Sequence, residues 1–163
     1  MRATVLPVLL VLLLASCGGG GGGSASPGAP DSWPADFERW VCGALEELES
    51  NAVPAMGDLS DAIDALDVDA VAAAAEAVAD SGVAARGMLD LAPVWDPGTA
   101  AVEDLYRATA LFSEGGRLVV SGATTADMAA LGEGRALLED AAAAMAEADA
   151  ALSTLQSDAD VRC

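Results

Sequence analysis

DFERWVCGALEELESNAVPAMGDLSDAIDAL, residues 36–66, sets Phe37, Val41, Ala44, Leu45, Leu48, Ala52, Met56, Leu59, Ile63 and Leu66 at three- and four-residue steps. That spacing lines one face of an α-helix and does not alternate as a half-buried strand would. Pro54 interrupts the stretch, because proline lacks an N–H and its ring meets the carbonyl four residues back. The stretch is therefore either one kinked helix or two helices meeting near Val53.

The same period continues downstream. Asp67 stands as an N-cap before a second stripe of Val71, Ala75, Val78, Gly82, Ala85 and Leu89. Pro93-Val94-Trp95-Asp96-Pro97-Gly98 is the clearest loop, with Asp96 placed to cap and Pro97 at the first helical position. A third stripe follows in Val102, Leu105, Tyr106, Thr109, Phe112, Val119 and Val120. Gly115-Gly116 is expected to bend or shorten that helix. Gly122 offers a stop, and Thr124 or Thr125 the next cap. Met128, Leu131, Leu138, Met145, Leu152 and Leu155 form the last stripe, weakened early by Gly132 and Gly134. Four helical segments with short connections predict an all-α fold, an antiparallel up-down-up-down four-helix bundle. The alanine runs at 72–75 and 141–144 predict close helix approach and a narrow core of modest intrinsic stability.

The N-terminus reads differently. Met1 to Thr4 carries one positive charge, and Val5 to Leu14 is apolar but for Pro7. As a helix that run spans about 15 Å, half of a ~30 Å bilayer core. It fits a cleaved signal peptide over residues 1–16 better than an anchor. Leu14-Ala15-Ser16-Cys17 resembles the bacterial lipobox. The resemblance covers the first 17 residues and implies diacylglyceryl transfer to Cys17, cleavage before it and, in many such proteins, acylation of the new amino group. Residues 17–31 follow as a tether, beginning with six glycines, Gly18 to Gly23, and continuing with Ser, Pro, Ala and Gly. Its root-mean-square reach is about 20 Å. Residues 32–163 remain for the helical domain.

Charge supports an anchor of lipid rather than of electrostatics. The chain has no lysine or histidine, and seven arginines against 26 acidic residues. With Arg2 removed, the mature chain carries −20. Such a field repels nucleic acid and anionic lipid alike.

Assigning Cys17 to lipid leaves Cys42 and Cys163. An oxidising compartment and an even count predict a disulfide between them, near one end of the bundle. The alternative is two free thiols or an intermolecular bridge through Cys163.

The inventory of chemistry is short. The absence of histidine removes serine–histidine and cysteine–histidine catalysis and histidine-type metal sites. No P-loop is present. No catalytic residue and no cofactor is expected. Asp58, Asp61, Asp64 and Asp67 make an acidic ridge that could share a divalent cation, though a solvated face explains them more simply. Trp33, Trp40 and Trp95 either cover the end of the core or line a ligand or partner surface. The expectation is a non-enzymatic, membrane-anchored extracytoplasmic lipoprotein that binds an envelope partner or supports an envelope assembly. The alternatives are a carrier of a lipid or other apolar molecule between its helices, and weak cation binding by the acidic ridge.

Overall fold

The computed structural model describes residues 34–158 and Cys163, and the described residues are helical with no strand. Helix α1 spans Ala35–Glu47, and a π turn, Leu48–Ala52, joins it to α2, Val53–Ala65. Helices α3, Val68–Leu89, α4, Thr99–Thr125, and α5, Met128–Asp158, follow, with a short 3-10 turn at Asp96–Gly98. None of these helices is long and apolar enough to cross a membrane. The expected signal peptide over residues 1–16, Cys17, the expected tether over residues 17–31, and Trp33 lie outside the described residues.

Of the two outcomes left open at Pro54, the structure shows a single continuous helical path rather than two helices. The helical path is unbroken, and the π turn immediately precedes the proline. A wider turn accommodates the missing N–H and the ring without ending the helix. The buried face then continues through Leu48, Ala52, Ala55, Leu59 and Ala62. It stops there. Ile63 is 48% exposed and Leu66 is 87% exposed, against the expectation that both face the core. Ala62 takes the inward position in the last turn, and Leu66 lies beyond that turn with φ of 57°.

The helices pack in sequence: α1, the π turn and α2 on α3, α3 on α4, and α4 on α5. Their registers can be read from contacts. Gly43 lies beside Met88, and Ser81 donates to the Glu47 carbonyl at 3.2 Å. Gly82 faces Thr109 and Ser113, whereas Gly116 faces Ala75 and Ala79. Gly115 faces Gly134 and Leu138, and Gly122 faces Leu131. The α3 stripe expected from sequence is buried throughout. One continuous core runs from Phe37 and Val41 through Leu105 and Phe112 to Leu138 and Leu152. Half of the buried apolar residues among those described are alanine, so the core is thin, as its composition implies.

Five local expectations need correction. Gly115-Gly116 neither bends α4 into two nor ends it, because both glycines sit at points of close helix approach. Gly122 is likewise interior, and the helix ends at Thr125. The threonine hydroxyls do not cap α5; Thr125 donates back to the Ser121 carbonyl at 2.7 Å. The cap is Asp127, which accepts from Ala129 N at 2.9 Å and Ala130 N at 3.2 Å. Asp96 opens the 3-10 turn and makes no side-chain cap, and Gly98 occupies the capping position of α4. Met128, counted in the last stripe, is 75% exposed.

The Cys42–Cys163 disulfide is present, with Cα atoms 5.0 Å apart. Near it, buried Phe37 meets Trp95 edge-on, with ring centroids 4.9 Å apart.

Candidate functional site

Two turns are built to one plan. At the end of α2, Leu66 adopts the left-handed conformation, and Asp67 N reaches back to the Ala62 carbonyl at 3.0 Å. Asp67 then caps α3 by accepting from Ala70 N at 3.0 Å, as its sequence position predicts. At the end of α4, Ala126 has φ of 56°, Asp127 N reaches the Gly122 carbonyl at 2.9 Å, and Asp127 caps α5. Each turn is a Schellman close in which the aspartate ends one helix and starts the next. After each aspartate comes an exposed apolar residue, Val68 at 55% and Met128 at 75%. Together with Ile63 and Leu66 they leave an unusual amount of apolar surface on short hairpin tips.

Glycine or asparagine normally takes the left-handed position, because a Cβ there costs about 1–2 kcal/mol. Leucine holds it at residue 66 while burying almost nothing. Leu66→Gly is therefore expected to stabilise the fold by ~0.5–1 kcal/mol once glycine's extra unfolded-state entropy is subtracted. A denaturant midpoint unchanged or lowered by that substitution would show that Leu66 has contacts that offset its strain.

The acids expected to form a ridge run along α2 into this turn. Asp58, Asp61, Asp64 and Asp67 are all exposed. Asp67 is already committed to its cap. Among the described residues no three acidic or cysteine side chains are grouped to hold a metal ion. Asp69 and Asp127 are exposed as well, and no arginine lies between Arg39 and Arg86 in the sequence.

The tryptophans do not form one site. Trp40 is half-buried on α1. Trp95 joins Phe37, Leu89, Val102 and Tyr106 around a hollow of about 200 Å³ at the disulfide end, which Trp40 does not line. The Tyr106 hydroxyl donates to Asp90 Oδ1 at 2.9 Å. Burial first, and then that hydrogen bond, raise the Tyr106 pKa above its ordinary value. Trp95 packs edge-on against buried Phe37, which favours the core-covering role.

A larger groove, about 630 Å³, lies between α3 and α4 and includes Val83, Arg86, Ser113, Glu114, Arg117 and Leu118. Nothing in the linear sequence singles it out, because the arginines look scattered among acids.

One carboxylate is perturbed away from these sites. Glu49, in the π turn, has its pKa raised by burial first and then by the Asp149 and Glu46 carboxylates. The folded state then holds a proton on Glu49 at pH values where the unfolded chain has released it. Stability from this group therefore increases as pH falls from above the folded value toward the ordinary one, and levels off below. Glu49→Gln is expected to raise stability near neutral pH, with the difference from wild type closing at about pH 4. Chemical denaturation across that range checks it; a constant offset at all pH values would point to packing instead.

The hairpin tips and the α3–α4 groove were not foreseen from sequence. The tips have a short sequence signal, Leu66-Asp67-Val68 against Ala126-Asp127-Met128. No protein-family model, curated protein or solved structure matches the chain.

Proposed function

We propose that the chain is a non-enzymatic lipoprotein, acylated at Cys17 on the outer side of a membrane, whose helical domain docks a partner protein through its hairpin tips. Its helices would form an up-down-up-down four-helix bundle. The stepwise registers of α1 on α3, α3 on α4 and α4 on α5 support that topology. In it, the start of α1 and the disulfide share one end, and the turns at Leu66 and Ala126 share the other. A tether over residues 17–31 would then leave the tips farthest from the lipid, about 45 Å away along a helix of this length.

The observation that carries the reading is Leu66, 87% exposed and in a left-handed conformation that glycine would adopt more cheaply. Strain retained at an exposed apolar residue points to use rather than to folding. The occupant is argued from charge. Exposed apolar Ile63, Leu66, Val68 and Met128 are interleaved along the chain with exposed Asp58, Asp61, Asp64, Asp67, Asp69 and Asp127, and in this topology the two turns would share one end. A second copy would oppose one acidic rim with another, and an anionic lipid surface would be repelled. A protein surface with an apolar cleft rimmed by lysine and arginine is complementary on both counts.

The test is photocrosslinking in native membranes from residue 68 or 128, with residue 139 on α5 as the control position. A discrete crosslinked partner is expected from the tips and not from the control. It should be lost in Leu66→Asn/Met128→Asn and weakened at high salt. Crosslinks that are absent, or equal from tip and control, would overturn the docking role. Cys17→Ala should release the chain from membranes, which tests the anchor separately.

A further inference from the structure

The groove between α3 and α4 concentrates what this molecule has least of. Among the described arginines, Arg39 pairs with Asp36, Arg107 with Asp104 and Glu147, and Arg135 with Glu139. Arg86 and Arg117 have no carboxylate partner among the described residues, although acids outnumber basic residues by 26 to seven in the chain. Both line this groove. Scattered surface arginines in so acidic a chain find carboxylates easily, so two without partners on one groove need a separate account.

Their settings suggest readiness for an anion. The Arg86 guanidinium lies 5.3 Å from the centroid of the Tyr106 ring. Stacking holds the planar group and leaves its N–H edge available. The register of α3 on α4 sets Arg117 near the level of Ala79, and Arg86 beyond the level of Thr109. The two guanidiniums therefore bracket the groove along its length. The groove is also lined by Ser113, a further donor, and by apolar Val83, Ala110 and Leu118. Val83 is 49% exposed. Gly82 keeps the floor low, because its Cβ position lies 2.8 Å from the Thr109 carbonyl oxygen. Glu114 also borders the groove, so the local balance is two positive charges against one negative.

We propose that this groove binds an amphipathic anion, an acidic head group on an acyl or alkyl chain, with the head on the Arg86 and Arg117 guanidiniums and the chain along Val83, Ala110 and Leu118. A free inorganic anion would use the arginines but leave the apolar wall exposed, and an uncharged lipid would leave both guanidiniums unpaired. The site lies on the side of the molecule and is independent of the tip-docking reading.

Calorimetric titration of the full chain with octyl phosphate, octanoate and inorganic phosphate tests it. Saturable one-to-one binding of octyl phosphate or octanoate is expected, with no saturation by inorganic phosphate over the same range. Tighter octyl phosphate binding assigns a phosphate-headed lipid, and tighter octanoate binding a fatty acid. Arg86→Gln and Arg117→Gln should each weaken binding about tenfold, the effect of losing one charge-assisted hydrogen-bonded contact. Arg39→Gln and Arg135→Gln should leave it unchanged, and circular dichroism should report the same helix content throughout. Leu66→Asn/Met128→Asn should also bind normally, which separates this site from the tips. No saturation by either amphipath, equal binding of inorganic phosphate, or indifference to both Arg86→Gln and Arg117→Gln would each overturn the proposal.

Discussion

Replacing Cys42 and Cys163 together by serine is expected to destabilise the domain by up to ~4–5 kcal/mol, as a drop in melting temperature on the order of 10–20 °C. The magnitude follows from chain entropy. The bridge joins positions 121 residues apart. Closing a loop of that length removes more freedom from the unfolded chain than a short one does. A domain of ordinary stability has roughly 5–15 kcal/mol in total, so a loss of that size is about a quarter of it or more. Here it matters further because half the buried apolar residues are alanine, each contributing little apolar area. The bridge also ties the described C-terminal residue to α1, an element that packs chiefly on α3. Reduction of the wild-type protein should reproduce the serine variant, and the variant should be insensitive to reductant. A loss below ~1 kcal/mol would mean that the unfolded chain already keeps its ends together, leaving the bridge little entropy to remove.

That pairing was legible from sequence because it needed no geometry: with Cys17 read as a lipobox cysteine, two remain. The helices were legible for a similar reason. A stripe such as Val71, Ala75, Val78, Gly82, Ala85 and Leu89 has one periodicity, and every member is buried. What was not legible depended on partners distant in sequence or on how a helix absorbs an irregularity. Pro54 reads as a break, yet one π turn passes it. Ile63 and Leu66 keep the helical period, so nothing in the spacing reveals that the core has ended at Ala62. The stop signal was Asp67, read as the start of α3 while it also closes α2. Arg86 and Arg117 are indistinguishable from Arg107 and Arg135 until the fold decides which of them meet a carboxylate.

The glycines show the same limit and yield the second large prediction. In sequence, Gly115, Gly116, Gly132 and Gly134 all count against a helix by about 1 kcal/mol each. In the fold they divide. A Cβ on Gly116 would lie 2.6 Å from the Ala75 carbonyl oxygen and 2.9 Å from Ala79 N, both backbone atoms of α3 that cannot rotate away. A Cβ on Gly132 would meet nothing within 4 Å. Gly116→Ala must therefore push α3 and α4 apart, which opens the alanine-lined interface along its length. The expected cost is ~2–3 kcal/mol, the range for overpacking a close interface, even after the gain in helix propensity. Gly132→Ala keeps the propensity gain without the clash and should stabilise by ~0.5–1 kcal/mol. The two substitutions are chemically identical, so their opposite signs in denaturant unfolding isolate the packing contribution. A stabilising Gly116→Ala would mean that α3 and α4 separate at little cost, and that close approach there does not hold the bundle. Close approach explains both of the consecutive glycines in this 27-residue helix, since a Cβ on Gly115 would likewise lie 2.9 Å from the Gly134 carbonyl oxygen on α5.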